Sequence, residues 1–221
     1  MIGISPHRFI VIEGPIGVGK TSLARRLADS LGAQLVLEQA DQNPFLERFY
    51  KNPRAAAFQA QLFFLFQRAR QMEEVRQQDI FSAVRVADYL LEKDRLFARV
   101  TLDDAEYGLY ERVFERVVVD APTPDLVVYL QAPLDVLMDR IAKRGIRYEQ
   151  YLERGYLEKL MQAYARFFHS YDAAPLLIVN SAAIDPVTND EDYQTLLAEV
   201  IKPRRGRHFF NPAGGSLLAG S

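Results

Sequence analysis

The chain has 221 residues, 49% of them apolar and 25% charged, with a net charge of -2. That length closes one substantial core and makes a single domain the default, while the balanced charge gives no electrostatic reason to expect nucleic acid or a membrane surface as a partner. The absence of cysteine excludes disulfides, thiolate zinc sites, iron–sulfur clusters and cysteine nucleophiles.

The first eight residues contain no basic stretch leading into an apolar run, and no apolar span of about 20 residues follows. The chain is therefore expected to be soluble, unprocessed and cytoplasmic. Short apolar runs then alternate with longer amphipathic stretches, the pattern of an α/β fold whose parallel sheet is buried on both faces. Five strands are expected, at Arg8 to Glu13, Gln34 to Glu38, Ser82 to Ala87, Asp125 to Leu130 and Leu176 to Val179. Leu23, Leu27 and Leu31 lie at helical spacing after the first strand, and Gly32 can take the left-handed conformation of a helix end. Asn43 and Pro44 suit the start of a short helix, and Thr101 with Asp104 the start of another that ends near Val118. Between them, Pro53 to about Arg76 carries Phe58, Leu62, Leu65 and Phe66 as an apolar stripe beside Gln61, Arg68 and Gln71. The domain is expected over 1–202, with 203–221, rich in Gly and Pro, as a flexible tail. His7, His169 and His208 are too scattered for a metal site or a triad and are expected at the surface.

One segment carries specific chemistry. Gly14-Pro15-Ile16-Gly17-Val18-Gly19-Lys20-Thr21 matches the phosphate-loop pattern G-x-x-x-x-G-K-[ST], and it falls between a buried strand and an amphipathic helix, as that pattern requires. Glycines let successive N–H groups, through Ser22 at the helix start, converge on phosphate oxygens. Lys20 is placed to reach the β and γ phosphates of ATP, and the Thr21 hydroxyl to serve Mg2+. No Asn-Lys-x-Asp occurs, which argues against a GTPase. Arg140 to Glu149 is rich in arginine and follows a strand and helix where a lid, about 140–155, would close over a phosphoryl group. Arg140 and Arg144 are equally placed to complement a helix C-terminus.

Several separated segments together resemble the deoxynucleoside kinase family, in particular its bacterial deoxyguanosine and deoxyadenosine kinase branch. They are Ile12 to Thr21, Glu38 with Asn43 to Leu46, Phe58 to Gln61 with Arg68, Ala87-Asp88-Tyr89, Phe97-Ala98, Arg144-Gly145 with Glu149, and Tyr156-Leu157. The resemblance runs from Phe9 to Val179 and implies a three-layer P-loop kinase fold with an arginine-containing lid, forming a homodimer through its helices. It implies ATP- and Mg2+-dependent phosphorylation of the 5'-hydroxyl of a deoxynucleoside, a purine favoured.

Roles then carry over by resemblance. Glu38 looks like the general base, and strand ends of this kind border the ligand crevice. Lys20, Asp88 and Arg144 look like its catalytic partners, with Thr21 and Asp88 serving the metal. Gln61 and Arg68, on one face of the long helix, resemble the pair that reads the base edge. Phe97 resembles the ring that stacks on the base, and Tyr50 with Glu149 the groups that hold the sugar; simple core packing remains open for Phe97 and Tyr50. Three departures stand out: Tyr89 where many members have arginine, Ile146 where the lid commonly repeats one, with Arg147 a residue later as the substitute, and Lys93 where several relatives carry an acid that helps choose the base. Two alternatives stay open. One is a P-loop kinase of another small substrate, such as a nucleoside monophosphate bound by Arg68, Arg70 and Arg85, or a vitamin precursor. The other is an idle nucleotide-binding module docking through Arg204 to Phe210.

Overall fold

The computed structural model describes residues 6–77 and 84–211. Among the described residues, six strands form one all-parallel sheet in the order β2-β3-β1-β4-β5-β6. They are β1 (Phe9–Glu13), β2 (Gln34–Val36), β3 (Arg85–Ala87), β4 (Leu126–Gln131), β5 (Leu176–Asn180) and β6 (Arg207–Phe210). The helices are α1 (Lys20–Leu31), α2 (Leu46–Lys51), α3 (Pro53–Gln77), α4 (Lys93–Thr101), α5 (Asp104–Val117), α6 (Leu134–Arg144), α7 (Arg154–Ser170) and α8 (Asp190–Val200), with 3-10 turns at Ala40–Gln42 and Arg147–Tyr151.

Alternate residues of the central strands enter different cores, which makes the fold three-layered. Ile10, Ile12, Leu126 and Val128 face Leu23 and Leu27 of α1, Leu137 of α6 and Leu196 of α8. Val11, Val127 and Tyr129 face Met72 of α3, Leu96 of α4 and Leu160, Tyr164 and Phe168 of α7. A third cluster, Phe49, Ala60, Leu65, Ala98, Tyr110 and Phe114, joins α2 to α5 beyond the sheet edge. Successive strands leave β1 in opposite directions, to β3 and to β4, so a crevice opens at its C-terminal end.

The sheet has six strands, one more than expected, because part of the supposed tail is structured. Arg207–Phe210 pairs in parallel with Leu176–Val179, and the Arg207 guanidinium donates to the carbonyls of Phe168 at 2.9 Å and His169 at 2.7 Å. Gly206, at φ 70°, turns the chain into that strand. Residues 212–221 of the expected tail, and Ser82 and Ala83 of the expected third strand, lie outside the described residues.

Other boundaries shift for identifiable reasons. The short helix begins at Leu46, because Asn43 is engaged upstream: its amide donates to the Ala60 carbonyl and its oxygen accepts from the Phe45 N–H. Asp103 caps α5 in a reciprocal box with Glu106, whereas Thr101 turns back to the Phe97 carbonyl at 2.8 Å. On α3 the buried face runs through Ala60, Gln61, Phe64, Leu65 and Arg68, leaving Phe66 54% exposed. His7 is buried, with Nε2 3.1 Å from the Lys202 carbonyl oxygen, and not at the surface.

Candidate active site

The phosphate loop follows β1 directly. Gly14, Gly17 and Gly19 all have positive φ. At Gly14 a Cβ would lie 2.5 Å from the Leu130 carbonyl oxygen, and at Gly17 2.7 Å from the Ile141 side chain, so both contacts exclude a side chain. Beneath the loop, buried Glu13 accepts from the Gly14 N–H at 2.8 Å, the Leu90 N–H at 2.7 Å and the Tyr164 hydroxyl at 2.8 Å. Lys20 folds over it, donating to the carbonyls of Gly14 at 2.8 Å and Pro15 at 3.1 Å. Burial and the nearby charge of Lys93 push its pKa down to about 8.

Glu38 extends from the end of β2 into the crevice. The strand stops at Val36 because the next ladder position is taken by a side chain: Asp88, just past β3, accepts the Glu38 N–H at 2.7 Å through Oδ1. Its Oδ2 accepts the Thr21 hydroxyl at 2.5 Å. One carboxylate thus ties the phosphate loop to the backbone of Glu38. The Glu38 carboxylate accepts from Arg68 on Oε1 and from Lys93 at 3.0 Å on Oε2. Burial alone would raise its pKa, but the two cations and their hydrogen bonds outweigh that and hold it well below the usual range.

These groups line one cavity of about 300 Å³ with Ile16, Gly17, Tyr50, Gln61, Phe97, Arg144 and Glu149. Gln61 and Arg68 both face it from α3. Arg68 also donates to Asp94, a fully buried carboxylate that accepts the Tyr110 hydroxyl at 2.9 Å. Gln61 donates to Thr101 Oγ1 at 3.3 Å, and its buried Oε1 has no hydrogen-bond partner among the described residues. Phe97 meets Tyr164 edge-on, with 6.1 Å between ring centres. Tyr50 stacks on Tyr148 at 5.9 Å. From the last position of α6, Arg144 closes onto Glu149 of the following 3-10 turn through two hydrogen bonds of 3.1 and 2.5 Å. Arg147 is exposed and is not part of the cavity lining.

Arg140 sits elsewhere. It donates to Ser181 Oγ at 3.0 Å and to the Ser181 carbonyl at 2.9 Å, on the wall of a neighbouring cavity of about 530 Å³ shared by Val18, Gly19, Ser22, Asp185 and Val187. Sequence reasoning missed that second cavity, whose loop after β5 has no motif. It also missed Asp94: the acid facing Arg68 stands one residue after Lys93, where the text of the helix gives no hint of a buried pair.

A parallel sheet with a phosphate loop at its switch point, beside a carboxylate held by cations in the same cavity, defines a P-loop phosphotransferase. The profile of the deoxynucleoside kinase family matches residues 10–203. Deoxyguanosine kinase of Bacillus subtilis (strain 168) is 34% identical over 197 residues, covering 87% of this chain and 95% of the relative. Deoxyadenosine kinase of Lactobacillus acidophilus is 31% identical over 205 residues, covering 86% and 94%. Among solved structures, deoxyadenosine kinase from M. mycoides with bound dATP superposes with a TM-score of 0.77 at 25% identity, over 89% of this chain and all of that one. The chain belongs to the deoxynucleoside kinase family, and its activity is transfer of a phosphoryl group from ATP to a deoxynucleoside.

Proposed function

We propose that the acceptor is the 5'-hydroxyl of a purine deoxynucleoside and that Glu38 is the general base. The observation that carries the reading is the single cavity in which Glu38, Lys20 and the unpartnered Gln61 Oε1 converge. An amide with a free acceptor and adjustable donors suits a purine edge that offers both complements. Relatives named for deoxyguanosine and deoxyadenosine support the same choice. Arg68, committed to Glu38 and Asp94, frames the base pocket more than it reads the base. Phe97 flanks the base, and Tyr50 and Glu149 hold the sugar.

Glu38 takes the proton of the attacking hydroxyl. Lys20 and the loop N–H groups hold the β and γ phosphates, and the cavity beside Arg140 takes the donor nucleoside. The paired oxygens of Thr21 and Asp88 fit a hard divalent cation, and Mg2+ bound there would supply positive charge to the transfer. Segment 140–155 acts as the lid. Arg144 leaves Glu149 for phosphate as the sugar hydroxyl takes its place.

An acceptor-phosphate site has less support, since the cavity lining includes neither Arg70 nor Arg85. Docking through the C-terminal basic segment has less still, because Arg204 is spent on Glu199 and Arg207 on α7. We also propose a cytoplasmic homodimer. No helix among the described residues is long and apolar enough to cross a membrane, and neighbouring α3 and α5 carry exposed Phe66 and Leu109 for a helical contact to cover.

Incubation with ATP, magnesium and each deoxynucleoside, followed by chromatography of the monophosphate, tests the reading. Deoxyguanosine or deoxyadenosine should be converted fastest, with Lys20→Ala inactive. Preferred conversion of thymidine or deoxycytidine would reject the purine assignment.

A further inference from the structure

Lys93 belongs neither to the phosphate loop nor to the lid, yet it lines the same cavity as Lys20, Thr21, Glu38 and Asp88. Its side chain is only 4% exposed, its ammonium donates to Glu38 Oε2 at 3.0 Å, and it lies 5.6 Å from the centre of the Phe97 ring. Burying an ammonium is expensive unless its surroundings repay it, and Glu38 already has a cation in Arg68. The two cations differ in freedom. The rigid fork of Arg68 is committed to Glu38 and Asp94 at once, whereas Lys93 carries a compact charge on a flexible four-carbon stem. Lys93 and Lys20 also repel one another, a situation that an anion entering between them relieves. Tyr89, at the end of β3, brings no charge to this wall: its hydroxyl donates to Gln71 at 2.8 Å.

We propose that Lys93 is a further phosphoryl-facing cation, beside Lys20 and Arg144, which holds Glu38 in the resting site and turns to the phosphoryl group during transfer. The proposal rests on the reading of Glu38 as general base. As the substrate oxygen bonds to the γ phosphorus, its proton passes to Glu38, and the bond to the β–γ bridging oxygen breaks with its electron pair leaving on ADP. Glu38 then loses its negative charge while charge spreads over the phosphoryl oxygens. Lys93 follows the charge from one to the other through rotation of its own stem.

Steady-state kinetics of Lys93→Met and Lys93→Arg on each deoxynucleoside test this. Lys93→Met should lower kcat about a hundredfold, the scale of a lost transition-state donor. KM for the nucleoside and the order of preference among nucleosides should stay as they were, and Lys93→Arg should recover most of the loss. A thermal midpoint checks that the variant is folded; if Lys93→Met is not, Lys93→Gln removes the charge at similar length. Unchanged kcat, a loss confined to KM, or an altered nucleoside preference would overturn the proposal and make Lys93 a structural or base-selecting residue. Undiminished kcat in Glu38→Gln would instead reject the Glu38 reading, and the role of Lys93 with it; an enzyme that loses activity in Glu38→Gln but is indifferent to Lys93→Met rejects Lys93 alone.

Discussion

Glu38 and Lys20 show how the same burial acts in opposite senses. Glu38→Gln keeps the shape but removes the proposed base, and kcat should fall by about 10²–10⁴, the usual contribution of a positioned base, with ATP binding retained in a titration. Lys20 is a second case. With its pKa near 8 it is about half neutral at pH 8, whereas an ordinary lysine near 10.5 is well under about 1% neutral there. An amine-acylating reagent at pH 8 should therefore modify Lys20 ahead of the exposed lysines, and ATP should slow the reaction by covering it and favouring its charged form. Mass spectrometry of the labelled peptides checks both. Residues with a motif around them, such as Gly14 to Thr21, were legible because backbone geometry, charge and order in the chain all demand them. Asp94 was not, since nothing local distinguishes a carboxylate that will be buried against Arg68 from one that will cap a helix in water.

Helix ends and an edge strand separate what local chemistry dictates from what neighbours impose. Asp103 makes both halves of the capping box with Glu106, so Asp103→Ala should cost about 1 kcal/mol, read from the urea midpoint. The Gly32 terminus of α1 was readable from one residue, and Gly32 does take the left-handed conformation at φ 59°. By contrast β6, Arg-His-Phe-Phe, has a mostly exposed burial pattern and no alternation to mark it. It exists because β5 offers an unpaired edge and α7 offers two carbonyls to Arg207. Truncation after Lys202 should therefore remove about 2 kcal/mol of pairing and Phe210 packing, a fall of about 4–8 °C in thermal midpoint. A flexible tail would leave the midpoint where it is.

Across the whole molecule, the site draws on three layers: the phosphate loop from β1 and α1, the proposed base pocket from α3 and α4, and the proposed lid at the end of α6 and beyond. Nucleotide binding should therefore stabilise the domain as a unit. At a concentration about a hundred times Kd, ATP adds about 2.7 kcal/mol, raising the midpoint by about 5–11 °C in calorimetry, and Lys20→Ala should lose most of that shift. The order of short apolar runs and amphipathic stretches, with one phosphate motif at the first crossover, was enough to determine the parallel sheet and the crevice at the end of β1, while the family was legible only through the resemblance of several separated segments. The sheet and the crevice follow from periodicity and from backbone geometry that a few residues can specify. Tertiary structure alone decided that Arg68 and Lys93 grip opposite oxygens of Glu38, that Asp94 completes the buried network and that the C-terminal segment becomes a strand. Each of these depends on residues far apart in the chain meeting in a low-dielectric interior, where a charge must find its partner or not be buried at all.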